Sequence, residues 1–172
     1  MYKFSSGEKI YFTSDTHFCH KNIISYAGRP FSSTEKMDKA LIDNWNSVVP
    51  EDGIVFHLGD FCFSGSTQWK TIRKKLNGEI YLILGNHDFK NYKPAWSDLF
   101  EIVTQQMHIY VEDQEIYINH NPFLVYGMPD VFGANAVNLS PRISSTEGTL
   151  TCGGIASHLT NGLSIDTVFT LQ

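Results

Sequence analysis

Four short polar motifs punctuate this chain, each directly after an apolar run. Asp15-Thr16-His17 follows Ile10-Tyr11-Phe12, and Gly59-Asp60 follows Ile54-Val55-Phe56-His57-Leu58. Gly85-Asn86-His87-Asp88 follows Ile80-Tyr81-Leu82-Ile83-Leu84, and Asn119-His120-Asn121-Pro122 follows Ile116-Tyr117-Ile118. Carboxylate, imidazole and carboxamide groups are the mixed oxygen and nitrogen ligands that borderline divalent cations take. One residue separates Asp15 from His17, so an extended chain would turn both to one side, where they could ligate one ion. A carboxylate placed like Asp60 can bridge two cations, one oxygen to each, with the metals about 3.5–4 Å apart. Gly59 would let the backbone approach the ions closely. Taken singly, Asp-x-His is a weak pattern, Gly-Asp is an ordinary turn, and a lone histidine after a strand is more often structural. The series as a whole argues for metal. His57, inside its apolar run, reads as a buried histidine and not as a ligand.

These motifs need elements that bring them together. In an open α/β sheet the strand ends share one rim, so groups far apart in sequence can converge there. Between the first strands the spacing predicts helices. Ser33 or Thr34 can cap a helix on which Met37, Leu41, Trp45 and Val48 recur at helical spacing, and Pro50 and Gly53 end it. A second helix is predicted over Thr67 to Leu76, with Trp69, Ile72 and Leu76 inward, and a short one from about Lys21 to Tyr26. Later segments around 100–103, 107–111 and 115–118 read as strands, the last two joined by a turn at Glu112-Asp113-Gln114. Pattern alone supports α/β.

The ordered set Asp-x-His, Gly-Asp, Gly-Asn-His-Asp and a later His-x-Pro resembles the calcineurin-like metallophosphoesterase superfamily, from about Tyr11 to Pro122. The stretch from Ser14 to Ile24 is similar to its small single-domain bacterial and phage members. The resemblance implies a four-layer α/β/β/α sandwich, of the metallo-dependent phosphatase type. It implies two divalent ions (Mn, Fe or Zn), one held by Asp15, His17 and Asp60, the other by Asp60, Asn86 and His120. It implies hydrolysis of a phosphomonoester or phosphodiester by a hydroxide between the ions, with His87 protonating the leaving oxygen and Asp88 orienting the His87 ring. His20, Lys21, Asn22 and Arg29, just after the first motif, are candidates to hold a phosphate. The family's closing Gly-His-x-His is absent. His158 is the only histidine after His120, so the tail can supply one ligand at most. The alternative is therefore a metal- or phosphate-binding domain impaired in catalysis.

Composition sets the outer bounds. A chain of 172 residues, 42% hydrophobic and 18% charged, fits a single domain over 1–172. Its net charge of −5 gives no general attraction for nucleic acid or anionic membrane. No apolar run approaches the length of a membrane span. The three cysteines are scattered without a CxxC pair, which favours a reducing, cytoplasmic compartment. The stretch 129–172 is atypical, rich in Ser, Thr, Gly and Asn. It reads as loop-rich and as the least ordered part, except that Val168-Phe169 could close a strand.

Overall fold

The structure is a computed structural model. It describes residues 2–5, 7–93, 98–111 and 114–121 in full and, beyond them, the backbone of four short strands at 135–137, 151–152, 155–156 and 169–170. The expected roles of His158 and Pro122, the turn at 112–113 and the order of most of the tail lie outside the described residues.

Strand and helix alternate through the first half, as the apolar runs predict. β1 (Tyr2–Phe4) and β2 (Ile10–Thr13) lead to α1 (Ile23–Tyr26) and α2 (Thr34–Val48). β3 (Ile54–His57), α3 (Ser66–Arg73), β4 (Glu79–Ile83), α4 (Asp88–Asn91) and β5 (Ile102–Thr104) follow. β6 (Gln106–Val111) and β7 (Gln114–Asn119) pair antiparallel. From the tail come β8 (Asn135–Val137), β9 (Thr151–Cys152), β10 (Ile155–Ala156) and β11 (Phe169–Thr170).

α2 begins where the Ser33 side chain accepts the Lys36 N–H, a cap worth about 1 kcal/mol. Its buried stripe is Met37, Leu41 and Trp45. The expected fourth member, Val48, is 47% exposed, and Val49 is buried instead. The helix ends at Val48, and the extended backbone of Val49 drops that side chain inward. α3 stops at Arg73, short of the predicted Leu76. The Arg73 guanidinium there donates to the carbonyls of Leu76, Gly78 and Leu99, holding a turn that still buries Leu76.

Two sheets result. One has the order β11-β2-β3-β4-β5, with β2 to β5 parallel and β11 antiparallel at its edge. The other has the order β1-β6-β7-β8. The tail read as loop-rich therefore gives an edge strand to each sheet, because unpaired backbone at the β2 and β7 edges accepts even two- or three-residue partners. Alternation along β2 to β4 divides the core. Tyr11, Val55, Ile80 and Leu82 face Met37, Leu41, Trp45, Trp69 and Ile72 of the helices. Phe12, Ile54, Phe56 and Ile83 face Ile109, Ile116 and Ile118 of the second sheet. The described layers are helix, sheet, sheet. The described residues do not show the second helical layer of the expectation.

Two features fix the rim. The first is the glycine pair: Gly59 has φ +100°, and a Cβ there would lie 2.6 Å from Gly85 N and 2.7 Å from His120 Nδ1. A Cβ at Gly85 would overlap the Asp60 carboxylate and lie 2.6 Å from Asp60 N. Gly59 thus serves the approach of one loop to another. The second is His57, fully buried. Thr16 Oγ1 donates to Phe61 O at 2.9 Å, so its 3.0 Å contact with His57 Nε2 is one in which the ring donates. His57 Nδ1 then accepts Gly59 N–H at 3.2 Å. The ring is neutral with its proton on Nε2, and burial pushes its pKa from 6.5 down to about 3.

Gly85→Ala should destabilise the fold by about 1–3 kcal/mol, the range for overpacking, and weaken metal binding in parallel. Urea unfolding and metal titration of the same sample read both. Unfolded His57 gains a proton near pH 6.5 while the folded ring resists until about pH 3. The unfolded state therefore binds more protons in that window, and this part of the stability is present above it and lost as pH falls through it. Urea midpoints measured across that range should show the loss in wild type, and a smaller loss in His57→Gln.

Candidate metal centre

All four motifs open at the same rim, and backbone bonds lace the first two together. Asp15 N–H donates to Gly59 O, His17 N–H to Asp60 O and Phe18 N–H to Phe61 O, each at 2.9 Å. The loop is not the extended chain expected from its sequence. Asp15, His17 and Asp60 have φ of 55°, 50° and 56°, in the left-handed region that costs a non-glycine residue about 1 kcal/mol or more. Arg29 holds that shape: its guanidinium is buried and donates to the carbonyls of Asp15 and Thr16, both at 2.8 Å. Arg29 is thereby a brace of the loop, and its expected phosphate role is withdrawn.

Asp60 is the hub. Its Oδ1 accepts the His87 N–H at 3.0 Å. Its Oδ2 faces three imidazoles, with His17 Nε2 at 3.6 Å, His120 Nε2 at 3.8 Å and His87 Nε2 at 4.0 Å. Against the expected division of one oxygen to each ion, Oδ2 faces both ligand groups here while Oδ1 accepts a backbone N–H. On one side, His17 Nε2 lies 3.8 Å from Asp15 Oδ1, whose companion oxygen accepts the Ser14 hydroxyl. Asp15, His17 and Asp60 bring ligand atoms within 4.8 Å of one another, a group that could hold a cation.

The other side passes a stricter test. His120 Nδ1 lies 2.7 Å from Leu58 O, which can only accept, so this nitrogen carries the proton. In the neutral ring Nε2 is then a lone pair, and it faces Asn86 Oδ1 at 3.1 Å and Asp60 Oδ2 at 3.8 Å. Acceptors converging on one point, with the histidine oriented from behind by a carbonyl, are what a cation requires. The residues present fit a divalent ion on each side of Asp60.

His87 is half-exposed beside this cluster, its ring 5.4 Å from His17 and 5.7 Å from Phe63. Asp88 is fully buried and has other work than orienting that ring. Its Oδ2 accepts the N–H groups of Asp60 (2.7 Å) and Gly85 (2.9 Å), and its Oδ1 that of Phe61 (3.0 Å). The orienting role expected for Asp88 is corrected to a strap between the second and third loops. Burial raises its pKa to about 6, and the Asp60 charge adds to this, while the three N–H donors pull the other way.

Two neighbours complete the surroundings. His20 is buried, stacks on Phe63 with ring centroids 4.2 Å apart and lies 3.4 Å from His17 by their Nδ1 atoms. Burial lowers its pKa, and the nearby His17 and His87 lower it further. Lys21 and Asn22 are exposed at the start of the four-residue α1, where Asn22 makes no side-chain cap bond. Sequence reasoning missed Phe63 and Ser14, which carry no ligand signature, and the bracing role of Arg29, which needs the fold to be seen.

The calcineurin-like phosphoesterase family model matches residues 8–156. An uncharacterised protein of Methanocaldococcus jannaschii is 40% identical over 128 residues, which is 71% of this chain and 69% of that protein. The gene 66 protein of Mycobacterium phage L5 is 39% identical over 85 residues, 45% of this chain and 39% of its own. Among solved structures, a protein of unknown function from Aquifex aeolicus aligns with a TM-score of 0.56 at 28% identity, covering 67% of this chain and 61% of that one. The family match spans all four strand-end motifs, and the chain belongs to the calcineurin-like phosphoesterase family.

Proposed function

We propose that this protein is a hydrolase of phosphate esters that uses two divalent cations, from among Mn, Fe and Zn, seated on either side of Asp60. The observation that carries the reading is the single Asp60 oxygen within 4.0 Å of the Nε2 atoms of His17, His87 and His120. Asp15, His17 and Asp60 would hold one ion, and Asp60, Asn86 and His120 the other. Such ions, when bound, hold phosphoryl oxygens and bring the pKa of water toward about 7. The chain itself does the rest. Gly59 and Gly85 bring the ligand loops together, and Asp88 and Arg29 lock them. His87 stands half-exposed at the edge of the cluster, where its Nε2 can give a proton to the departing oxygen. Phe63 and His20 stack on each other to wall that edge. Cytoplasmic location, expected from the sequence, fits the free thiols of Cys19 and Cys62.

Purified protein loaded with Mn²⁺ and assayed on an aryl phosphate ester tests the reading, with metal content measured alongside. Two ions per chain and turnover support it. One weakly held ion without turnover would leave a metal-binding domain in its place.

Asp60→Asn should lower turnover by at least about 10³-fold, the worth of several kcal/mol of charge stabilisation, and reduce bound metal from two ions to fewer than one. Full metal content in this variant would remove Asp60 as the shared ligand. His87→Ala should keep its metal and lose about 10²–10⁴-fold in turnover on an alkyl ester, with a much smaller loss on a 4-nitrophenyl ester, whose leaving group needs no proton. Equal losses on both esters would take the proton-donor role away from His87.

A further inference from the structure

The metal reading leaves a cavity of about 670 Å³ unassigned, within the range of small-molecule sites. Four of its lining residues are near neighbours along the chain of the second ligand group. Leu84 in its wall lies two residues before Asn86, Phe89 lies three residues after it, and Asn119 and Asn121 stand on either side of His120. Gln105 and Gln106 complete the polar part, and Gln106 is the register partner of Asn119 across the β6–β7 pair.

The lining has an unusual chemistry for a site beside phosphate-binding metals: it carries no charged side chain. It therefore offers no opposite charge to a second phosphate, a carboxylate or an ammonium group. It offers four carboxamides, each both donor and acceptor. Asn119 Oδ1 accepts the Asn121 N–H at 3.0 Å, which sets the geometry of that corner. The carboxamides of Gln105, Gln106 and Asn121 make no hydrogen bond to any other described residue. Beside them Phe89 is 52% exposed, although a large apolar ring gains from burial. An uncharged group with a flat apolar face and an edge of mixed donors and acceptors answers both features. Nucleobases have that combination: carboxamides read their edges, and aromatic rings stack on their faces.

We infer that this cavity receives the nucleobase of a nucleotide ester whose phosphoryl group lies against Asp60. The inference rests on the phosphoesterase reading of that site. The base belongs either to a free nucleotide or to the end of a strand; the chemistry recognised is the same.

Steady-state kinetics of the Mn²⁺-loaded protein on two substrates provide the test: bis(4-nitrophenyl) phosphate, without a base, and the 4-nitrophenyl ester of thymidine 5′-phosphate. Wild type should prefer the thymidine ester in kcat/KM. Phe89→Ala should shrink that preference by roughly 5- to 150-fold, the range set by loss of one base–aromatic stack. Gln105→Ala, at an exposed position that the fold does not depend on, should shrink it in the same direction. Inhibition by thymidine monophosphate alone identifies a free nucleotide, and stronger inhibition by a short thymidine oligonucleotide identifies a strand. A preference absent in wild type, or unmoved in both variants, overturns the nucleobase assignment and leaves the phosphoesterase reading in place. Failure to turn over either ester with both ions bound removes that reading and this inference with it.

Discussion

A carboxylate oxygen cannot sit within 4 Å of three imidazole nitrogens unless the backbone around it is packed more tightly than ordinary side chains allow. That constraint organises the upper rim of this protein. Gly59 and Gly85 are glycines because a methyl group at either would strike the neighbouring loop. Asp88 is buried because three N–H groups from the two loops would otherwise lack acceptors, and a buried donor without a partner costs about 1–3 kcal/mol. His57 and Thr16 tie the same loops from beneath, and Arg29 ties the first loop from the side. The parallel sheet supplies the platform, but the polar struts decide where Asp60 points.

Much of this was legible in the sequence, for definite reasons. Strands β2, β3 and β4 are buried on both faces, so they read as continuous apolar runs, and the polar residues that end them stand out. The α2 stripe from Met37 to Trp45 was readable because three helical turns repeat it. The proposed ligands Asp15, His17, Asp60, Asn86 and His120 stand out at strand ends, Asn86 and His120 through the family resemblance, and the structure brings all five to one place. Individual roles were harder. Asp88 follows His87 in sequence, yet its carboxylate turns down into the loop junction, and no pattern of residue types records which way a side chain turns. Arg29 looked like an anion binder because it is a cation near a metal motif. Its burial against the Asp15 and Thr16 carbonyls depends on a chain reversal that sequence does not display. The tail was legible only at Val168-Phe169, where β11 forms: β8 is three residues long, too short for any periodicity, and it pairs with the β7 edge.

The same geometry also separates what each histidine can do. His57 and His120 both have one nitrogen committed to a neighbour at fixed tautomer, but His57 turns its other nitrogen toward a hydroxyl and His120 turns it toward acceptors. One is a strut and the other is placed to serve as the proposed ligand, although both end an apolar strand. His87 has neither commitment at its ring and keeps access to solvent, as the proposed proton donor would need. Chemical identity at the rim is thus set by the second contact of each ring.

The left-handed backbone at Asp15, His17 and Asp60 bears on how quickly the site can fill. These residues hold an unfavourable conformation through contacts that involve no ion: an arginine on two carbonyls, paired loops and a buried carboxylate. The entropy of ordering the loops is therefore spent when the chain folds and does not recur at each encounter with a cation. If the site takes cations as proposed, stripping water from the ion would then set the rate of capture. A slowly dehydrating ion such as Mg²⁺ would be disfavoured here by kinetics as well as by ligand type.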